Sequence, residues 1–262
     1  MEITWLGQAG FLLRDDSDCA VLIDPFFTRL QGRRSPPPMS PEALPPVAVV
    51  LVTHEHDDHL DIPFLLELRR LGQQPYVVVP EPIVELAVSA GLDAQRVLPA
   101  KPDVPVRAGA LTVHAIPAVH GLGGGKEAVS YGFAPRSHPS GGYHFLGYVV
   151  ELGGVRLYHA GDTLPYDGLA ERVRDFGVNV MCLPINGRDP NRESQGIVGN
   201  MTPAEAASLA VAVRPNVVIP MHYDGFWNNL GDVGAFAREM ESAGASALLV
   251  LQPGRAVEVG AR

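Results

Sequence analysis

Val47-Ala48-Val49-Val50-Leu51-Val52-Thr53-His54-Glu55-His56-Asp57-Asp58-His59-Leu60-Asp61 joins an unbroken apolar run to a burst of metal-binding side chains. The run Val47 to Val52 has no polar alternation, as in a strand buried on both faces. The residues after it fan out from one fixed backbone point. His54 and His56 stand two residues apart and share a face of the extended chain, so they can grip one ion. Asp58 and His59 lie around the following turn and can reach a second. Imidazole and carboxylate together suit a borderline ion such as zinc. A lone surface histidine is ordinarily a solvated side chain. Three histidines and an aspartate crowded behind a Val-rich strand read instead as a metal site.

Upstream, Ile3 to Leu6 and Gly10 to Leu13 read as strands around a glycine turn. Ala20 to Ile23 is a third strand and ends at Asp24-Pro25. Residues 31 to 46 carry too many prolines for a helix and read as a loop or extended arm. Downstream, Pro63 to Leu71 has helical spacing, Tyr76 to Val79 is a short strand, and Ile83 to Ala90 is a helix stopped by Gly91. Ala110 to Pro117 is a strand leading to His120. Residues 121 to 144 are glycine-rich and read as a long excursion with a possible lid role. They contain Lys126, Arg136, His138 and His144. Gly123 to Lys126 lacks the Gly-Lys-Ser/Thr ending of a phosphate-binding loop.

The second half repeats this grammar. Tyr148 to Glu151 and Val155 to Tyr158 form a hairpin across Gly153-Gly154, which delivers His159-Ala160-Gly161-Asp162. Val178 to Leu183 is a strand. Thr202-Pro203-Ala204-Glu205 carries an N-cap, a first-turn proline and a capping box. Val217 to Pro220 delivers His222. Val233 to Ala243 reads as a helix and Ala247 to Leu251 as a strand. His120, Asp162 and His222 thus each follow an apolar strand, as His54 does. Strand ends on one sheet edge are where α/β folds gather their sites.

The chain has 262 residues, 46% of them hydrophobic, enough for one large core, and a single domain over 1–262 is expected. Its formal net charge of -9 comes from 29 acidic and 20 basic residues, a poor balance for gripping nucleic-acid phosphates. No apolar run approaches the roughly 18 residues of a membrane span. Met1 to Trp5 has neither a basic nor an apolar leader pattern, which suggests a cytoplasmic protein. Cys19 and Cys182 make no Cys-x-x-Cys pair and read as two buried thiols. A homo-oligomer is compatible with all of this.

His54-x-His56-x-Asp58-His59, followed by His120, Asp162 and His222, resembles the metallo-β-lactamase superfamily over nearly the whole chain. The resemblance implies a four-layer αβ/βα sandwich with metals at the open edge of two sheets. It implies one ion on His54, His56 and His120, another on Asp58, His59 and His222, and Asp162 bridging them. Asp24 would support the ligand loop from behind. Asp162 stands where the zinc β-lactamases carry cysteine, and His56 stands where the di-iron flavoprotein branch carries glutamate. Tyr158 to Asp162, Gly187-x-x-Pro190, Gly196-Ile197, Met201-Thr202 and Val217 to His222 resemble the L-ascorbate-6-phosphate lactonase subfamily. His120 departs from it, because that lactonase has a carboxylate there.

The expected reaction is hydrolysis of a small anionic ester, a lactone or a phosphorylated sugar derivative. Two divalent ions would activate a bridging water. Zinc is the default, and manganese or iron also suit the oxygen donors Asp58 and Asp162. Asp58 and Asp162 are the catalytic candidates. Arg188 and Arg192, in the polar stretch Asn186 to Asn200, are the candidate substrate anchors, since guanidinium suits phosphate or carboxylate. Phe226 and Trp227 are read as core packing or an apolar wall, and His114 and His159 as core or supporting residues. The alternatives are a phosphodiesterase acting on phospholipid or nucleic acid, and a non-catalytic binding protein on the same fold.

Overall fold

Fourteen strands divide into two seven-stranded mixed sheets in a computed structural model that describes residues 1–16, 20–120, 135, 137–138, 142–197, 199–244 and 246–261. Most of the 121–144 excursion, with Lys126 and Arg136, lies outside the described residues, as does Cys19. The first sheet has the order β14-β1-β2-β3-β4-β5-β6. Its strands are β1 (Glu2–Gly7), β2 (Gly10–Arg14), β3 (Ala20–Ile23), β4 (Val47–Leu51), β5 (Tyr76–Pro80), β6 (Val97–Ala100) and β14 (Ala256–Glu258). The second has the order β13-β12-β11-β10-β9-β8-β7. Its strands are β7 (Val106–Ala108), β8 (Leu111–Pro117), β9 (Leu146–Leu152), β10 (Val155–His159), β11 (Val180–Pro184), β12 (Val217–Met221) and β13 (Ala247–Leu248).

The repeated grammar of the sequence is a repeated topology. Each sheet begins as an antiparallel meander and continues in parallel: β3 to β6 in the first, β10 to β13 in the second. Parallel strands need crossovers, and helices supply much of them. The helices are α1 (Ile62–Arg70), α2 (Val84–Ser89), α3 (Leu169–Arg174), α4 (Pro190–Ser194), α5 (Pro203–Val213) and α6 (Val233–Ser242).

Alternation within the strands decides the layers. In β4, Val49 and Leu51 face the core between the sheets, while Val47 and Val50 face Phe64, Leu65 and Leu68 of α1. Trp5, Phe11, Tyr148 and Tyr158 are among the largest buried side chains between the sheets. The apolar face of α5, including Leu209 and Val213, covers the second sheet. The fold is the metallo-β-lactamase sandwich of two mixed sheets flanked by helices.

Several elements differ from the sequence reading. The segment 83–90 is a 3-10 turn, Glu81–Ile83, followed by the shorter α2. The last long strand shrinks to Ala247–Leu248. β6 was invisible because Pro99 sits inside it; it is tolerated because β6 is an edge strand. The capping box of α5 forms as read: Thr202 accepts from the Glu205 amide, and Glu205 accepts from that of Thr202.

Candidate metal centre

Every site residue leaves the end of a strand. Asp24 follows β3, the His54 motif follows β4, and His120 follows β8. Asp162 follows β10 and His222 follows β12. Parallel neighbours point their carboxyl ends the same way, so the two sheets converge their turns on one edge.

Asp24 is the hub behind the first motif. It is fully buried and adopts a left-handed φ of 44°. Its carboxylate accepts from the Thr53 amide at 2.8 Å and the Thr53 hydroxyl at 2.7 Å, and meets His59 Nδ1 at 2.7 Å. That contact places the proton on Nδ1 and leaves His59 Nε2 facing the cleft. Asp61 secures the other end of the motif. It accepts from the Phe27, Thr28 and Phe64 amides, capping α1 and anchoring the 24–28 turn. Gly161 lets the Asp162 turn approach this motif: a Cβ there would lie 2.9 Å from that of Thr53. The His120 and Asp162 turns are joined directly, because Val119 donates to the Thr163 hydroxyl and Leu164 to the Val119 carbonyl.

The histidines and carboxylates form three groups whose donor atoms lie within 4.8 Å of one another: His54-His56-His120, His54-His59-Asp162 and Asp58-His59-His222. Asp162 sits among them, with carboxylate oxygens 3.4 Å from His59 Nε2, 3.5 Å from His120 Nε2 and 3.1 Å from His222 Nε2. His59 Nε2 and Asp162 Oδ1 are buried with no hydrogen-bond partner among the described residues. Buried polar atoms are ordinarily paired, so orphaned donors aimed at each other are what a divalent cation would satisfy. The residues therefore fit a metal.

The electrostatics divide the site. Burial, aided by repulsion from His59 and His56, pushes the His54 imidazolium well below its usual range. Burial takes His120 down to about 3. Burial would also lower His59 and His222, but the carboxylates outweigh it. Asp162, Asp24 and Asp58 raise His59 to about 9, and Asp162 and Asp58 raise His222 to about 10. Burial would raise Asp58 and Asp162, yet the imidazolium charges hold both carboxyls below the usual carboxylate range.

The cleft over these residues has a volume of about 420 Å3. Its far wall is Gly196, Ile197, Phe226, Asn228 and Asn229. Arg188 and Arg192 do not line it. Arg188 makes a two-pronged pair with Glu205 at 2.6 and 2.7 Å. Arg192 pairs with Asp189 and donates to the Asn186 carbonyl and to Asn229 Oδ1. Arg192 thus reaches the cleft only through Asn229. Phe226 lines the cleft and stacks on Phe26, whereas Trp227 is 65% exposed and is not core. His159 is a supporting residue, its Nε2 2.8 Å from the Ala9 carbonyl. His114 packs on Phe176 away from the cleft. His144 meets Glu55 at 3.3 Å.

Sequence reasoning missed four contributors. Phe145 sets its ring edge-on to His120 and tilted against His54. Asn228 and Asn229 carry no pattern that singles them out. Gln8, 3% exposed in the β1–β2 turn, places its amide nitrogen 2.8 Å from Asp58 Oδ2 and 3.0 Å from His222 Nε2. Its signal was a long polar side chain between two glycines of an apolar hairpin.

Residues 20–223 match the model of the beta-lactamase superfamily domain. A UPF0173 metal-dependent hydrolase of Symbiobacterium thermophilum is 32% identical over 257 residues, covering 97% of this chain and 98% of its own. Another, from Myxococcus xanthus, is 30% identical over 97% of this chain and 81% of its own. The fold matches that of a metallo hydrolase from the archaeon Ignicoccus hospitalis with a TM-score of 0.75, at 24% identity over 100% of this chain and 99% of that one. With its His/Asp clusters able to bind metal, this chain belongs to the metallo-β-lactamase superfamily, within the UPF0173 family of metal-dependent hydrolases.

Proposed function

We propose that the chain is a binuclear hydrolase of a small ester, with a lactone or phosphorylated sugar derivative as its substrate class. The observation that carries this reading is the meeting of two donor triads, His54-His56-His120 and Asp58-His59-His222, around Asp162 in one cleft. In this reading each triad would hold one ion, with Asp162 placed to serve both, and Asp24 orients His59 through Nδ1. Two such ions, zinc foremost and manganese or iron as alternatives, supply an activated water and polarise the carbonyl.

The chain's own residues do the rest. Asp58 is the more exposed carboxylate, at 16% against 4% for Asp162, and is the carboxylate placed to relay a proton on the cleft side. The Asn228 and Asn229 amides face the substrate's oxygens, and Phe226 and Ile197 exclude water from its apolar edge. Arg188 and Arg192 both have carboxylate partners, so an anionic group would be met by the ions and the asparagine amides. The lactone class rests on the motif resemblance through Tyr158 to Asp162 and Val217 to His222. We treat residues 1–262 as one catalytic domain.

A panel of lactones, phosphodiesters and thioesters, tested on protein reconstituted with Zn, Mn or Fe, checks the proposal. Lactones should show the highest kcat/KM. A phosphodiester turned over tenfold faster than any lactone would move the reading to a phosphodiesterase. Metal analysis showing at most one ion per fully reconstituted chain would remove the binuclear reading.

A further inference from the structure

Gln8 is the buried polar side chain aimed at this site to which neither the motif nor the donor triads give a task. Its backbone already ties the sheets together. The amide nitrogen donates to Asp224 Oδ1 at 3.1 Å, and the carbonyl accepts from the His222 amide at 2.9 Å and from Trp5 Nε1 at 3.0 Å. The residue holds a left-handed φ of 51°. Its side-chain slot is tight, since a Cβ on Gly225 would lie 2.0 Å from Gln8 Oε1. The side chain is therefore held against the site from several directions.

Its tip forms a triangle with two donor atoms. Gln8 Nε2 is 2.8 Å from Asp58 Oδ2 and 3.0 Å from His222 Nε2, which are 3.5 Å from each other. One ion at about 2.0–2.2 Å from all three atoms fits a triangle with these edges. Without an ion, Asp58 Oδ2 accepts from the NH2 end of the amide, which therefore faces the site. With an ion in place, half a turn about χ3 presents Oε1 instead. It exchanges two atoms of nearly equal size, about a torsion with a broad two-fold profile.

Resting on the two-ion reading, we propose that Gln8 is a further ligand, giving its side-chain carbonyl oxygen to the ion held by Asp58, His59 and His222. A neutral oxygen donor adds to the coordination number there without adding charge. Gln8 reaches only the Asp58 and His222 side of the site, so the two ions should respond differently to changes at position 8.

Calorimetric titration of the metal-free protein with Zn2+, backed by metal analysis, tests this. Wild type should take up two ions. Gln8→Met keeps the volume but removes the oxygen; it should keep the first ion and lose at least about tenfold in affinity for the second. Gln8→Glu restores an oxygen but no N–H, and should hold the second ion at least as tightly as wild type. Gly225→Ala changes no donor but displaces the Gln8 tip, and should weaken the second ion selectively even if Gln8→Met fails to fold. Wild-type affinity for the second ion in Gln8→Met or in Gly225→Ala overturns the assignment. So does loss of the second ion in Gln8→Glu, which would make Gln8 an N–H donor that positions Asp58. A wild type that takes up only one ion overturns the two-ion reading, and this ligand with it.

Discussion

The two halves of the centre use the same imidazole chemistry in opposite electrostatic settings. Around His54, His56 and His120 the neighbours are other imidazoles, the ring of Phe145 and the Asp162 carboxylate, yet burial outweighs that one charge and drives His54 and His120 towards the neutral form. Around His59 and His222 the neighbours are Asp24, Asp58 and Asp162, which hold those rings protonated well above neutrality. In one half, burial has already made the His54 and His120 rings neutral. The other keeps protons where a cation would sit. His54 and His120 should therefore meet an ion without releasing protons, while His59 and His222 must expel theirs.

Removing the charge that both halves share gives the largest expected effect. Asp162→Asn keeps the shape but takes a carboxylate from His59, His120 and His222 at once. Activity on the true substrate should fall at least about a hundredfold. Near-normal kcat/KM with both ions present would place the bridge elsewhere.

Removing one donor at a time should separate the halves. On the two-ion reading, His120→Ala should release the ion of the His54-His56-His120 group, and His222→Ala that of the Asp58-His59-His222 group. Metal analysis after dialysis should find about one ion per chain in each. Simultaneous loss of both ions from either variant would show that the two halves do not bind independently.

A pH series on the metal-free protein sharpens the contrast. His59 and His222 have folded pKa values raised above that of the unfolded chain. Their stabilisation is complete below about 6.5 and is lost as pH rises through about 9 to 10. His54 and His120 have lowered values, so their cost appears as pH falls below about 6.5. Thermal melts should show a maximum Tm near pH 6.5 with a decline on both sides, and saturating Zn2+ should flatten the alkaline limb. A metal-free Tm that keeps rising to pH 9 would contradict the assignment.

The candidate donors, which the structure gathers into one cleft, could be picked out in the sequence. Each is a polar residue directly behind an apolar strand, and only a shared sheet edge makes such a pattern useful. Most of the supporting residues could not. Nothing local to Arg188 says that Glu205, seventeen residues on, neutralises it, whereas Asp189, three residues before Arg192 and capping the same helix, was a local signal for that pair. Trp227 looks like core by composition but sits on an outward turn. Gln8 is far from its partners in sequence, and its role depends on a contact between the two sheets. The fold was readable in outline because strand and helix periods are local. β6 and β7, short and broken by Pro99 or flanked by Pro105, carry too little period to register.

The smallest effects belong to the arginines. Arg188→Ala breaks a partly buried pair with the cap of α5 and should cost roughly 1 kcal/mol in stability, with kcat and KM within about twofold of wild type. Arg192→Ala frees Asn229 and should raise KM modestly for neutral and anionic esters alike. A large rise confined to anionic substrates would return Arg192 to the role of anchor.

Gln8, Asp24 and His222 all hold left-handed backbone, at φ 51°, 44° and 58°, and all three meet at the centre. Residues with a Cβ seldom adopt that conformation, and when they do the surrounding structure must enforce it. The ligand motif is consequently not portable. A designer who grafted His54 to His59, His120, Asp162 and His222 onto another pair of sheets would reproduce the donors but not their aim. The hairpin turn at Gln8, the strand exit at Asp24 and the turn at His222 would have to travel with them.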